Sequence, residues 1–235
     1  MIQLPGSPLQ LGVCPVLAWE FARDRYRPGA PIGGGDQDAL LRAAGILLPD
    51  GGIDSSWEPA LAVASSARAG MVLVASVGDV VFLSNAYLSR DLTVVARSRA
   101  VAENGVIARM ETVVEVGAAP AVDTWEALAR VLPPQFQTPP KPGAPTPVDP
   151  AGRARLADLD GWDGAPDDLR RSAQAALSPE ATLTIAWNGK ERGTLLWFAR
   201  GGELFRVDRS SWHHIPEGSC GDELVRIAER TLFGR

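Results

Sequence analysis

Residues 182–207 contain three short runs rich in β-branched and aromatic residues, and the first run alternates apolar with smaller residues. Leu183, Ile185 and Trp187 are separated by two smaller residues, Thr and Ala, which is the pattern of a β-strand with one apolar face. Asn-Gly and Gly-Gly turns divide this stretch into three short apolar runs. Runs of this length between such turns predict an antiparallel meander. A helix over 222–232 is predicted to follow it.

The same order of elements is predicted in the first half of the chain. Its strand and helix candidates lie at 71–77, 92–96, 105–116 and 124–132. Repetition of long units favours a pseudo-twofold domain over a solenoid. The predicted fold class is therefore α/β, of the α+β type, with antiparallel strands and helices repeated around a central antiparallel sheet. Residues 70–132 are expected to superpose on residues 181–232.

A proline-rich segment separates the two predicted halves. Eight of the 19 prolines fall within residues 133–150, a composition typical of an extended, semi-rigid linker. We expect residues 135–148 to be exposed and easily cleaved by proteases. The predicted division is an N-terminal half over 1–134, a linker over 135–149 and a C-terminal half over 150–235, with both halves in one domain. Further helices are predicted at 150–159 and 167–177.

The N-terminal region predicts an edge strand followed by a short helix. Residues 9–16 alternate apolar with small or polar residues and contain a late proline, which suits the edge of a sheet. Residues 17–26 are predicted to form a helix with Leu17 and Phe21 facing inward, and Trp19 is a further inward candidate.

Two more helices are predicted before the first sheet strands. Asp36 is the predicted N-cap of one helix, and Gly45 lies where a glycine commonly ends a helix. Ser55 or Ser56 is predicted to cap the next helix. Pro59 falls in its first turn, where the missing backbone N–H costs little.

Composition and charge exclude several classes of protein. The hydrophobic fraction of 46% is enough for a packed core, and the net charge of −5 argues against a dedicated nucleic-acid surface. No apolar run approaches the ~20 residues of a membrane helix, and the first residues lack the features of a secretion signal. Cys14 and Cys220 are isolated in sequence and are predicted to be unpaired thiols. A reduced, cytoplasmic protein is the expectation.

Motifs that would support catalysis or metal binding are weak. His213 and His214 are adjacent, so on a strand their rings would point to opposite sides, which makes a poor metal site. Cys220 lies at a predicted helix start, where a thiolate could be stabilised, but it has no catalytic signature around it. The triple glycine 33–35 lacks the phosphate-loop residues, and the acidic run over 158–168 lacks the calcium-loop register. We predict no catalytic residue, metal or cofactor.

The C-terminal half concentrates large aromatic residues. Such residues are enriched at protein interfaces, although they also fill cores. Trp197 and Phe198 are adjacent on a predicted strand and should face opposite sides of the sheet, so at most one of them is expected to contact a partner. The predicted partner-binding residues are Trp187, Trp197, Phe198, Phe205 and Trp212.

Two long segments of the chain resemble the EspG family of actinobacterial type VII (ESX) secretion proteins. The first runs from the Leu-Arg-Ala-Ala-Gly-Ile-Leu-Leu-Pro-Asp-Gly-Gly segment at Leu41 to the helix that ends in Leu-Pro-Pro at Pro134. The second comprises the strands Gly193–Phe198 and Glu203–Val207 with the closing helix. The resemblance implies a pseudo-twofold α/β protein with a central antiparallel sheet. It also implies a cytosolic chaperone, not an enzyme, that binds helical PE/PPE- or WXG-type secretion substrates and keeps them soluble.

Two other functions remain open at the level of sequence. Residues 38–66 form a helix–turn–helix pattern before strands, which would suit a winged-helix DNA-binding regulator, although the acidic balance argues against it. A hydrolase that uses Cys220 or the histidines is the other alternative. A helical secreted protein is the expected partner, with no nucleic acid and no membrane insertion, and the chain would be a monomer or a homodimer.

Overall fold

The computed structural model of the protein describes residues 9–104, 106–140, 179–208, 211–216 and 219–234. The strands are β1 (Leu9–Pro15), β2 (Ala69–Val77), β3 (Val80–Leu88), β4 (Leu92–Glu103), β5 (Val106–Met110), β6 (Val113–Pro120), β7 (Ala181–Asn188), β8 (Arg192–Arg200), β9 (Glu203–Asp208) and β10 (Ser211–Ile215). The helices are α1 (Val16–Arg25), α2 (Asp38–Ala43), α3 (Glu58–Ser66), α4 (Thr124–Val131) and α5 (Ser219–Phe233). Short 3₁₀ turns occupy Ala121–Asp123 and Pro134–Phe136.

The strands form one antiparallel sheet in the order β1-β6-β4-β3-β2-β7-β8-β9-β10, and β5 pairs with the end of β4. This arrangement confirms the predicted α+β class with a central antiparallel sheet. The strands β2 and β7 form the seam between two meanders, with a register that runs from Gly70 opposite Asn188 to Val77 opposite Ala181. Each meander is followed by a helix, α4 or α5. The superposition of the two halves stays a prediction.

Each face of the sheet carries its own core. On the first face, α4 and α5 pack over the centre of the sheet, where Leu73, Ile185 and Trp197 are buried. On the second face, α1–α3 pack over β1, β6 and β4, where Val94 and Val116 are buried. Successive residues of a strand face opposite sides, so β4 and β6 supply both cores: Val95 and Ala119 are buried in the first, and Val94 and Val116 in the second.

Four strands of the structure differ from the predicted ones. The single strand predicted at 105–116 is two strands, β5 and β6, because the chain leaves the β5–β4 ladder before Thr112, whose carbonyl accepts a hydrogen bond from the N–H of Val16. The strands β3 and β10 were not predicted at all. The meander β7–β9 agrees with the prediction, and α5 is longer than its predicted range.

The first helix faces the core with a different side from the one predicted. Leu17 is 70% exposed, so the inward prediction for it is wrong, and Ala18, Trp19 and Ala22 are buried instead. The helix begins directly after the proline that ends β1, and this junction sets which residues turn toward the sheet. Phe21 is only partly buried against the same core.

The predicted helix caps are only partly correct. Asp36 does not cap α2; the carboxylate of Asp38 instead accepts a hydrogen bond of 2.7 Å from the N–H of Gly34. Gly45 follows the helix with φ of +69°, which confirms the predicted glycine end. Neither predicted serine caps α3, since its N-cap residue is Trp57 and makes no side-chain cap, but a proline lies in its first turn as predicted.

The start of the proline-rich segment is packed into the core. Phe136 is fully buried, and its carbonyl accepts a weak hydrogen bond from the thiol of Cys220. The carbonyl of Thr138 accepts a hydrogen bond from the N–H of Gly221. The prediction that exposure begins at residue 135 is therefore wrong. Residues 141–149 of the linker, the predicted helices at 150–159 and 167–177 and the acidic run lie outside the described residues.

Candidate protein-binding groove

Three of the five aromatic residues predicted to bind a partner lie in the interior. Trp197 is completely buried in the first-face core, and Phe205 and Phe198 are buried on the second face. Trp197 and Phe198 do face opposite sides of the sheet, as predicted, but both sides are covered at these positions. In the folded chain these three side chains cannot contact a partner, which corrects the prediction for them.

The other two predicted contact residues have different positions. Trp187 is half-buried at the end of β7, where its ring lies against the Cα of Gly193 on β8, so a side chain at that glycine would collide with the indole. The indole N–H of Trp187 has no hydrogen-bond partner among the described atoms. For Trp212 the structure describes the backbone only, as part of β10.

The second face of the sheet contains a groove that sequence reasoning missed. It has a volume of about 300 Å³ and lies over β3, β2 and β7. We call it the central groove and define it by six lining residues: Arg68, Gly70, Val72, Asn85, Ala186 and Asn188. It lies beside the helices α1–α3 and across the seam between the two meanders.

Small residues form the floor of the central groove. Gly70 faces Asn188 across the seam, and Val72 faces Ala186. A Cβ atom at Gly70 would lie 2.9 Å from the carbonyl oxygen of Ala86, so the strand has no room for a larger residue there. The groove is therefore a consequence of glycine, valine and alanine at neighbouring positions of two paired strands.

Val72 is unusual because it is exposed in the middle of the sheet. Its side chain is 47% exposed, whereas the next residue, Leu73, is 1% exposed on the opposite face. The strand β2 is hydrogen-bonded to β3 on one edge and to β7 on the other. Val72 is therefore exposed on a face of the sheet, not at its edge. Val72 therefore gives the groove an apolar floor, and apolar concave surfaces with a few polar groups are typical of binding sites.

Tyr87 borders the groove and is held in position from the α1 side. Its hydroxyl accepts a hydrogen bond of 3.0 Å from Arg23, and its ring lies 6.5 Å from that of Trp19. Since these contacts anchor the ring to the N-terminal helices, this wall of the groove is preformed. Amide side chains from Asn85 and Asn188 complete the lining and are both exposed.

Two arginines lie at or beside the groove. Arg68 lines it, and Arg192 faces Asn188 across the β7–β8 pair, in the same row of side chains. Both arginines are exposed, and neither has a carboxylate partner among the described residues. No aspartate or glutamate lines the described part of the groove. The groove is thus apolar at its floor and positively charged at one end.

A second exposed apolar surface follows the strand β5. All its residues are exposed, including Val106, Ile107 and Met110, and one edge of it has no partner strand within the described ranges. A register shift in the β4–β5 pair leaves Ala108 without a partner residue. Such bulges twist an edge strand and oppose the addition of another strand. The central groove is therefore the stronger candidate for a binding site.

The Cys220 thiol is buried in the first-face core. Burial raises the pKa of the Cys220 thiol, and the carboxylate of Glu223 raises it further. This finding contradicts the suggestion of a stabilised thiolate at the helix start. The described residues contain no group of three potential metal ligands. His214 is exposed, with its Nε2 3.8 Å from Glu203 and its ring against Phe205.

Neither known family models nor curated proteins give a match to this chain. In the ranges that the structure covers, no helix is both long and apolar enough to cross a membrane.

Proposed function

We propose that this protein binds a helical segment of a second protein in the central groove. The observation that carries the proposal is the exposure of Val72 at the bottom of a groove in the middle of the sheet. Binding grooves are mostly apolar, with a few polar groups that fix the orientation of the ligand. A helix that places one apolar side chain against Val72 would cover it, and the amides at the rim would meet polar neighbours.

We further propose that the bound protein is a type VII secretion substrate and that the chain acts as its cytoplasmic chaperone. The support is the resemblance to the EspG family, which implies helical PE/PPE- or WXG-type substrates. The sheet of two meanders, each followed by a helix, agrees with the architecture that this resemblance implies. In this proposal the protein needs no cofactor and catalyses no reaction.

The geometry gives little support to DNA binding by the helices α2 and α3. The helix α3 contains no lysine or arginine, and its Leu61 is fully buried against the sheet, as is Trp57 just before it. A recognition helix needs an exposed face with cations for phosphates. The secretion chaperone is therefore the function we propose.

The test is co-expression of the full chain with a candidate helical substrate pair from the same genome. We expect a complex that co-elutes in size-exclusion chromatography and a larger soluble fraction of the substrate. The variant Val72→Asp should lose the complex while its melting temperature stays close to that of the parent, because the position is half exposed.

The matched control is Val122→Asp. Val122 is 91% exposed in the 3₁₀ turn after β6 and does not line the groove. This variant should keep the complex. The proposal is wrong if Val72→Asp binds as well as the parent, or if both variants lose binding to the same extent.

A further inference from the structure

The charged residues around the central groove indicate which charge a bound partner should carry. The chain has a net charge of −5, yet the charged residue that lines the described groove is Arg68, and Arg192 lies beside the groove, opposite Asn188. Neither has a carboxylate partner among the described residues, so both guanidinium groups are available to a ligand. Charge complementarity of this kind selects partners and their orientation.

The register of the strands fixes where these cations lie relative to the apolar floor. Across the sheet, Tyr87, Gly70, Asn188 and Arg192 form one row of facing residues on the second face. Arg68 directly precedes β2 at the same end of the sheet. Val72 lies two residues further along its strand, which is a distance of about 7 Å from that row.

The arginines lie further from Val72 than the row itself, since Arg192 is two strands across and Arg68 is four residues back, and their long side chains span the remaining distance to a bound helix. Side chains three or four residues apart on a helix have Cβ atoms about 5–6 Å apart and point to the same side. A helix that lays an apolar side chain on Val72 can therefore direct its next side chain along that face toward the arginines. The side-chain amides of Asn85 and Asn188 are neutral and can either donate a hydrogen bond to a polar neighbour or accept one from it.

From this geometry we infer that the groove recognises an acidic apolar helix: an apolar side chain contacts Val72, and an aspartate or glutamate one turn away contacts Arg68 and Arg192. The inference rests on the proposed function, because it takes the partner to be helical. It adds the sign of the charge that the partner carries beside its apolar anchor. A lysine at that position would face two arginines and would be rejected.

The experiment uses two fluorescein-labelled, alanine-based helical peptides of about 20 residues, a length at which such helices form in water. Both contain one leucine anchor; four residues later, one has glutamate and the other has lysine. Binding to the full chain is measured by fluorescence anisotropy. The glutamate peptide should bind about tenfold more tightly, since two partly exposed ion pairs replace two repulsions. The difference in affinity between the two peptides should decrease as the salt concentration is raised, because salt screens exposed charges.

Charge-reversed variants make the test specific. The double variant Arg68→Glu, Arg192→Glu should prefer the lysine peptide. Arg109→Glu is the matched control, because Arg109 is an exposed arginine on β5, at the opposite end of the sheet from the groove, and it should leave the preference unchanged.

The outcomes separate this inference from the proposed function. If both peptides bind with equal affinity and Val72→Asp abolishes the binding of both, the charge preference is wrong. The groove would then still be a site that binds helices. A lack of measurable binding by either peptide would overturn the inference, while co-elution with the native substrate pair would decide the proposed function independently. An unchanged preference in the double variant would also overturn it.

Discussion

The hydroxyl groups of Ser76 and Thr182 lie 2.6 Å apart and join the two halves of the sheet by a side-chain hydrogen bond. The residues face each other across the seam between β2 and β7, although they are 106 positions apart in sequence. Either hydroxyl can donate to the other. Because the contact is partly buried, its loss leaves a hydroxyl with poorer access to water than on an open surface.

Removal of either hydroxyl should weaken the seam. We expect Ser76→Ala and Thr182→Val each to lower the free energy of unfolding by about 1 kcal/mol. The double variant should lower it by less than the sum of the two single effects. Urea denaturation of the four proteins measures this coupling. Ser55→Ala, at an exposed serine, is the control and should change stability by less than about 0.5 kcal/mol. Strict additivity of the two seam substitutions would show that the hydroxyls do not interact.

The buried aromatics should behave as core residues. Trp197→Ala and Phe205→Ala should each destabilise the protein by about 3–5 kcal/mol, because each leaves a large cavity under a packed face. Val72→Thr should be nearly neutral, since that side chain is half exposed and the shapes are similar. Thermal melting followed by circular dichroism distinguishes these cases. A Trp197→Ala protein with an unchanged melting temperature would contradict the burial.

A buried ion pair connects the second meander to its helix. Arg206 on β9 contacts Glu223 on α5, and the Nε of the arginine and the Oε2 of the glutamate have no other hydrogen-bond partner in the described structure. Glu223→Ala should cost about 3 kcal/mol, because an unpaired cation then remains buried. The double variant Arg206→Met, Glu223→Leu should recover most of this loss, which chemical denaturation would measure.

The exposed pair of Arg42 and Asp38 provides the comparison for that ion pair. Arg42→Met removes a cation that is 45% exposed and should change stability by less than about 1 kcal/mol. If the double variant at 206 and 223 is no more stable than Glu223→Ala alone, the explanation through an uncompensated charge is incorrect.

Burial of Cys14 should make stability depend on pH above neutrality. Burial raises the pKa of this thiol from 9.0 to about 11, so the folded protein keeps the proton where the unfolded chain loses it. Below pH 9 both states hold the proton and the contribution is constant; between pH 9 and about 11 stability falls. Denaturation of the parent and of Cys14→Ala across this range isolates the effect, because Cys220 and Tyr26 are present in both proteins. Parallel pH curves for the two proteins would count against it.

The reactivity of the two thiols offers a second measurement of the same burial. Both cysteines are unpaired and buried, as free cysteines were predicted from their isolated positions. At pH 8 a thiol reagent should modify neither cysteine in the folded protein and both in denaturant. Fast modification of the native protein would mean that at least one thiol is accessible.

Turn residues in the sequence explain which strands could be predicted and which could not. The Asn-Gly and Gly-Gly turns define the ends of β7–β9, so these strands were predictable. The strand β3 was missed because Ser84 and Asn85 interrupt its apolar residues, although Ser84 is buried against α4. The strand β10 was missed because its adjacent histidines resemble a turn more than a strand with one apolar face.

The groove could not be predicted because alternation does not reveal which face is covered. In β2 the residues Met71, Val72, Leu73 and Val74 are all apolar, so the pattern gives no sign that one of them is exposed. The outcome depends on where α4, α5 and the N-terminal helices pack, which is set by contacts between distant parts of the chain. The same reason applies to Trp197 and Phe198, whose opposite orientations were predictable but whose burial on both faces was not.

The long separation between the two seam strands has a consequence for protein synthesis. A ribosome that adds about 5–20 residues per second needs roughly 5–20 seconds to make the chain between Ser76 and Thr182, which are 106 positions apart. During this time one edge of β2 exposes its N–H and C=O groups, and the apolar side chains of Met71 and Leu73 lack their cover from the second meander. An unpaired apolar edge of this kind is a template for aggregation. A nascent chain that stalls before β7, or a message truncated there, would therefore yield insoluble product.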